Sequence, residues 1–220
     1  MSFSKTAAYR NNHNFNQDEL LNSDLARALM KTDTGSLREK EIELGVCLAL
    51  CLTWIRNKVL PLSERVRFAP NRLQNLHGAQ MLNEVMGEQG ELGRLWMRHD
   101  GDLIAFLEDP KAKAPQPVQL TQSRTAFSVA SIVVGIIDTH VPNLMIYDWG
   151  DGEDAHAIVC YQTSRRVIVF DPNCGELSCP GSQIDTMWKA YAADLTTVFG
   201  RPPSMFQIAA VGVVPPKKKT

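Results

Sequence analysis

The chain lacks an excess of charge of either sign. Its 220 residues carry 23 Lys and Arg against 24 Asp and Glu. A protein that binds nucleic acid usually offers a basic surface to the phosphate backbone, and this balance provides none. We therefore expect no nucleic-acid partner. The short basic stretch at residues 215–220 is expected to be a solvated tail.

Long apolar runs are also missing. No stretch is long enough to cross a bilayer, so we expect no integral membrane segment. The N-terminal residues do not show the basic and then apolar order of a Sec signal peptide. The five cysteines are an odd number, which argues against a simple disulfide framework. These features predict synthesis in a reducing cytoplasm with free thiols.

The sequence contains no glycine-rich phosphate loop and no internal repeat. Four cysteines could be imagined as a zinc site: Cys47, Cys51, Cys174 and Cys179. However, the first two lie in an apolar segment, and structural zinc sites favour tighter pairs in polar loops. We therefore expect neither a metal nor a cofactor.

Composition changes at about residue 36. Residues 1–36 are polar and rich in Asn and Ser, which predicts a largely disordered segment. Residues 37–214 are long enough for one sizeable core and are expected to form a single domain, followed by the tail at residues 215–220.

The first part of this domain has helical patterns. The segment from Val46 to Ile55 is apolar on nearly every side, which is typical of a buried helix, and Gly45 indicates its start. Further helices are predicted within residues 71–108.

Breaks in these helices are expected around residues 87–93 and 99–101, where glycines cluster. Residues 109–121 hold three prolines and predict a surface loop. Residues 122–139 are too long for one strand and favour a helix.

The second part of the domain has strand patterns. Short apolar runs rich in β-branched and aromatic residues lie at residues 143–149, 155–161, 166–171 and 205–214. An amphipathic helix is predicted between the last two, at residues 182–198. Helices followed by an antiparallel sheet make an α+β fold.

Two of these strands form a predicted hairpin with a titratable residue at the outer end of each arm. With Thr163 and Ser164 at the centre of a tight turn, His156 lies opposite Asp171. Opposed residues point to the same side of a sheet with Cβ atoms about 5 Å apart, so the carboxylate can fix the imidazole tautomer. A register shift of one residue would separate them onto opposite faces. Taken alone, such a pair is more often structural than catalytic.

Cys47 is the candidate nucleophile that an oriented imidazole would activate. It lies in the first turn of the predicted helix, where backbone N–H groups and the helix dipole stabilise a thiolate. Such a thiolate attacks carbonyl carbon, and its own backbone N–H can help to hold the oxyanion. By itself Cys47 could equally be a buried core residue, which is how we interpret Cys51 one turn later.

Three blocks of sequence carry a resemblance to a known family: GVCLALCLTW at residues 45–54, DAHAIV at residues 154–159 and FDPNCGE at residues 170–176. They resemble the signature blocks of the YopT-type cysteine proteases, bacterial effectors with a papain-like fold. The resemblance implies that Cys47 is the nucleophile, His156 the general base and acid, and Asp171 the orienting carboxylate.

The resemblance also implies a function. Residues 37–214 would be a papain-like catalytic domain, a thiol endopeptidase that cleaves a protein substrate in a target cell through a thioester acyl-enzyme. The protein would be an effector or toxin made in the bacterial cytoplasm and secreted into a host or competitor cell by a dedicated, non-Sec system. It could also bind a secretion chaperone or an immunity protein.

Alternatives remain open at this level. A glutamine deamidase or another acyl transferase uses the same triad, although the long interval between Cys47 and His156 favours a protease. A non-catalytic binding module or a purely structural protein could keep the same fold. The residues just before Cys47 supply no amide side chain, so the oxyanion donor is unassigned. Asn173 and Glu176 are expected to shape the turn after Asp171.

Overall fold

The structure of the chain is a computed structural model that describes residues 10–13, 46–59, 76–115, 118–136, 141–150 and 155–212. The helices of these residues are α1 (Cys47–Val59), α2 (Leu76–Arg98), α3 (Leu103–Glu108), α4 (Val129–Gly135) and α5 (Ile184–Phe199). The strands are β1 (Arg10–His13), β2 (Val118–Ala126), β3 (Pro142–Asp148), β4 (Ala155–Gln162), β5 (Arg166–Asp171), β6 (Gly175–Pro180) and β7 (Met205–Val211).

One antiparallel sheet organises the described residues. Its strand order is β1-β6-β5-β4-β3-β7-β2, and β4 lies at its centre. The predicted α+β class is confirmed, with helices before the sheet. Strands β3, β4, β5 and β7 and helix α5 lie where the apolar patterns predicted them.

Helices cover both faces of the sheet. Between α1 and one face lie buried apolar side chains, among them Leu50, Ile55, Val159 and Phe170. Between α5 and the other face lie Trp188, Leu195, Ile158 and Val169. Successive residues of a strand point to opposite faces, so two covered faces explain why the central strands are apolar at nearly every position.

Helix α2 runs unbroken through the expected interruption at residues 87–93, so that prediction is wrong. A glycine inside a helix costs about 1 kcal/mol relative to alanine, and burial of Met86, Leu92 and Leu95 in the core that contains α1 outweighs that cost. The break at residues 99–101 is confirmed. Asp100 and Gly101 have φ angles of 49° and 72°, in the left-handed region that ends a helix.

Residues 118–126 form the edge strand β2, whereas the sequence predicted a loop and then a helix. The strand pairs with β7 through an irregular register. A polar edge strand has no clear alternation, so its sequence gives little strand signal. A short helix, α4, does follow, and the Ser128 hydroxyl caps it by accepting a hydrogen bond from Ser131 N at 3.1 Å.

The segment predicted to be largely disordered, residues 1–36, contributes β1, which pairs with β6 at Arg10 and Asn11. The rest of that segment and the predicted tail at residues 215–220 lie outside the described residues. Within the described ranges, no helix is both long enough and apolar enough to span a bilayer.

Helix α1 should dominate the stability of the core because its side chains are buried on nearly all sides. We expect Leu50→Ala, which truncates a fully buried side chain, to lower the free energy of unfolding by about 2–5 kcal/mol. Urea denaturation followed by circular dichroism measures this change. The matched control is Leu120→Ala on β2, where the side chain is 42% exposed and the expected loss is about 0.5 kcal/mol or less. Equal losses for the two variants would contradict this account of the core.

Candidate active site

The β4–β5 hairpin turns one residue later than the sequence predicted. Ser164 and Arg165 are its central residues, because Thr163 N donates to Arg166 O at 2.8 Å and Cys160 pairs with Val169. The predicted turn at Thr163–Ser164 is therefore wrong. The Thr163 hydroxyl explains the choice, since it accepts hydrogen bonds from Arg166 N at 3.0 Å and Arg165 N at 3.3 Å.

The moved turn leaves the two titratable residues on the same face. Shifting a hairpin turn by one residue displaces every partner by two, and side chains alternate with a period of two. Strand pairing places Asp171 diagonally from His156 rather than directly opposite. The His156 Nε2 to Asp171 Oδ1 distance is 2.9 Å, and the side chains are 4% and 0% exposed. The predicted contact between them is therefore present despite the wrong register.

Asp171 is a buried carboxylate that several donors stabilise. Oδ1 accepts from His156 Nε2 and from Asn173 N, the latter at 2.7 Å. Oδ2 accepts from the Tyr191 hydroxyl of α5 at 2.5 Å. Burial raises the pKa of Asp171, but the charge of His156 and the hydrogen bonds from His156, Tyr191 and Asn173 outweigh burial and lower it from 3.8.

His156 is correspondingly favoured as the imidazolium. Burial by itself lowers the pKa of His156, but the charge and hydrogen bond of Asp171 and a side-chain hydrogen bond with Cys47 raise it from 6.5 to about 10. Because Nε2 donates to Asp171, Nδ1 is the ring nitrogen that remains for the thiol. Burial, followed by the charge of Asp171, raises the pKa of Tyr191 well above 10, which keeps its hydroxyl a donor.

Cys47 is the first residue of α1, as the position of Gly45 predicted. The first intrahelical hydrogen bond, from Leu50 N to Val46 O, measures 3.0 Å. The thiol is therefore at the helix N-terminus, the end of a helix at which the dipole favours an anion. The residue is 7% exposed and meets the imidazole of His156. The three residues predicted from the sequence thus lie in one cluster.

Two side chains of α1, those of Cys51 and Trp54, hold the helix against the sheet beside this cluster. The Cys51 thiol donates to Ala157 O at 3.3 Å, next in sequence to His156. Trp54 Nε1 donates to Glu176 Oε2 at 3.3 Å, and its ring stacks on Phe170 with centroids 5.9 Å apart. Cys51 is fully buried, as expected of a core residue, but it also joins the nucleophile helix to the strand of the histidine.

The turn after Asp171 has the tight geometry that its sequence suggested. Cys174 N donates to Asp171 O at 3.0 Å, and Gly175 has a φ of 93°, which a side chain would strain. Asn173 Nδ2 lies 3.5 Å from His156 Nε2. Asn173 contributes to the site as well as to the turn, because its backbone N–H donates to Asp171 Oδ1.

Sequence reasoning missed Tyr191. Tyr191 lies among apolar residues of the predicted amphipathic helix, so it was interpreted as part of the apolar face. The signal that could have identified it is that a buried tyrosine usually has a hydrogen-bond partner for its hydroxyl. All five cysteines are buried, and none of them forms a disulfide. Among the described residues, no group of three or more His, Cys, Asp and Glu side chains is arranged to hold a metal ion.

The chain is similar to a known protein family and to solved structures. The family model Peptidase_C58, described as Yersinia/Haemophilus virulence surface antigen, matches residues 4–206. The fold resembles the crystal structure of the Pseudomonas avirulence protein AvrPphB, with a TM-score of 0.52 and 14% identity over 84% of this chain and 100% of that one. At that identity the likeness shows the fold alone. No curated protein sequence matches the chain.

The buried pair predicts a characteristic pH dependence. The folded-state pKa of His156 is raised, so its contribution to stability is complete below about pH 6.5 and is lost as the pH rises to about 10. The folded-state pKa of Asp171 is lowered from 3.8, so its contribution is lost only in more acidic solution. We expect this pair to make the unfolding free energy fall by up to about 1.4 kcal/mol per pH unit above pH 6.5.

NMR titration of the imidazole tests the pair directly. We expect the signal of His156, assigned by its absence in His156→Gln, to titrate near pH 10 in the wild type. A midpoint at or below 6.5 would show that the ion pair does not form.

Proposed function

The chain belongs to peptidase family C58 and is a cysteine peptidase, and on that premise we propose that Cys47, His156 and Asp171 are its catalytic triad. The observation that supports this assignment is the buried contact of His156 Nε2 with Asp171 Oδ1 at 2.9 Å, close to Cys47 at the first residue of α1. A thiol, an imidazole and an orienting carboxylate in contact are the groups that acyl transfer through a thioester requires.

The first half of the reaction forms an acyl-enzyme. The Cys47 thiolate attacks the scissile carbonyl carbon, and the negative charge on the carbonyl oxygen develops beside the N–H groups at the start of α1. The imidazolium of His156 donates its proton to the leaving amine as the C–N bond breaks. The products of this step are a free amine, a thioester on Cys47 and a neutral imidazole.

The second half hydrolyses the thioester. Neutral His156 accepts a proton from water, whose oxygen attacks the thioester carbonyl. The C–S bond then breaks and releases the carboxylic acid. This step returns the thiolate and the imidazolium. Asp171 stays ionised throughout, because its donors hold it in that state.

Asp171 has two tasks in this scheme. Its Oδ1 accepts the Nε2–H of His156, which leaves Nδ1 for the thiol and the leaving group. Its charge stabilises the imidazolium that must exist beside the thiolate. Tyr191 of α5 and Asn173 of the β5–β6 turn hold the carboxylate in place by hydrogen bonds, and the carboxylate in turn orients the imidazole.

A protein is the substrate class that the family implies. We propose that the chain is an endopeptidase that works as a bacterial effector, delivered into a host or competitor cell by a dedicated, non-Sec secretion system. The description of the family as a virulence antigen supports this role. A secretion chaperone or an immunity protein would then be a partner before or after delivery.

The assignment of Cys47 predicts a specific loss of activity. Cys47→Ala should abolish cleavage of a library of proteome-derived peptides, by at least about 10³-fold, because no other group forms the thioester. Mass spectrometry of the treated library measures new termini. The control is Cys179→Ala, another buried cysteine at 2% exposure, which should keep wild-type cleavage per folded molecule.

The same experiment separates the alternatives. New termini that depend on Cys47 identify a protease. A mass increase at glutamine without cleavage would identify a deamidase instead. No change in the library, together with labelling of Cys47 by iodoacetamide no faster than that of an unperturbed thiol, would indicate a binding module and reject the enzyme.

The charge of Asp171 predicts the alkaline limit of activity. Asp171 raises the pKa of His156, so the imidazolium should persist to about pH 10 in the wild type. In Asp171→Asn the alkaline limb of kcat/KM should move to lower pH, and kcat should fall roughly 10²-fold. Asp185→Asn, at an exposed position in α5, serves as the control and should keep the wild-type profile. An unchanged limb in Asp171→Asn would contradict the role given to this carboxylate.

A further inference from the structure

A buried amide side chain from a distant helix meets the start of the nucleophile helix. Gln89 lies in α2 and is only 9% exposed. Its Oε1 accepts a hydrogen bond from Ala49 N at 3.0 Å. Ala49 is the third residue of α1, two residues after Cys47. Helix α2 therefore caps α1 from outside, although the residues that precede α1 in sequence supply no such amide.

The bond acts on the turn that carries the thiol. The N–H groups of Cys47, Leu48 and Ala49 precede the first intrahelical hydrogen bond, which Leu50 donates to Val46. Gln89 satisfies the last of these three. The N–H groups of Cys47 and Leu48 lie at the same end of α1, where the reacting carbonyl would lie.

An end of a helix frays when its terminal N–H groups are not held. Fraying would be costly at α1, because the first turn contains both the sulfur and the N–H groups that face the developing oxyanion. The Cys51 and Trp54 contacts lie further along the helix and join it to the sheet. They do not restrain the first turn, whereas the contact from Gln89 does.

We propose that Gln89 is a positioning residue for the nucleophile, whose carboxamide oxygen fixes the first turn of α1 and so holds Cys47 and its backbone N–H in the reactive geometry. The proposal rests on the proposed function in taking Cys47 as the reacting thiol. It adds a residue that lies outside the three signature blocks. Gln89 acts through Ala49, two residues after Cys47.

The chain offers a matched control for this role. Gln207 of β7 is another buried glutamine, 7% exposed, whose Oε1 accepts from a helix N-terminus, Leu103 N of α3, at 3.3 Å. Its Nε2 donates to Gly101 O at 2.9 Å. Gln207→Met thus removes two hydrogen bonds, and Gln89→Met removes the bond to Ala49 N. The helix next to Gln207 is α3, which contains none of the site residues.

The experiment compares these variants in the full chain. Gln89→Met should lower the rate of Cys47 alkylation by iodoacetamide and the kcat for peptides by roughly 10- to 100-fold, with little change in KM. Gln207→Met should lower the melting temperature and leave both rates at the wild-type value per folded molecule. The site of alkylation is identified by mass spectrometry, with Cys47→Ala as the blank.

Gln89→Glu provides a rescue that a merely structural role would not produce. A carboxylate keeps an acceptor for Ala49 N, so the melting temperature should be retained. The same acceptor holds the first turn of α1, so the rate of Cys47 alkylation should return from the Gln89→Met value towards the wild-type value. An alkylation rate in Gln89→Glu as low as that in Gln89→Met, or wild-type rates in Gln89→Met, would overturn the proposal.

The two proposals fail in different ways. If alkylation of Cys47 depends on Gln89 but no proteolysis depends on Cys47, the proposed function is wrong and the positioning role stands. If proteolysis depends on Cys47 and Gln89→Met reacts like the wild type, only the positioning role is wrong.

Discussion

The ion pair between His156 and Asp171 is the interaction on which the rest of the site depends. Burying two charges costs several kcal/mol per ion unless their hydrogen-bonding capacity is satisfied. Here the carboxylate is fully buried and receives donors from β4, from the turn after β5 and from α5. Each of these elements must therefore be in place for the pair to exist, and the pair in turn directs the free imidazole nitrogen towards Cys47.

The nucleophile helix and the sheet are joined by residues that belong to separate sequence blocks. Trp54 lies seven residues after Cys47. It donates a hydrogen bond to Glu176 and stacks on Phe170, the last and first residues of the third block. The third block, residues 170–176, thus supplies the carboxylate of Asp171 and makes the tight turn at Gly175. Its last residue, Glu176, binds α1 through Trp54. This combination of tasks gives a physical reason for the specificity of that short block.

The sequence predicted the central elements and missed the peripheral ones. Strands such as β4 and β5 are covered on both faces, so their apolar runs are unambiguous. The edge strand β2 is half exposed and irregularly paired, so a helix was predicted over part of it. The short strand β6 has no alternation and was not predicted. The continuous α2 shows the opposite case, because core packing overrides the local preference of its glycines.

Residue type, spacing and family resemblance predicted Cys47, His156 and Asp171 as site residues. His156 and Asp171 lie on the same face of the hairpin despite the wrong register, because the strand pairing differs from the predicted one by two residues. The partners from other elements could not be found this way. Tyr191 and Gln89 carry no motif, and their importance comes from the atoms they meet across the fold. Residue chemistry and periodicity are local properties that a sequence determines by itself. Which donor reaches a buried carboxylate or caps a remote helix is decided by packing between elements, and only the tertiary structure contains it.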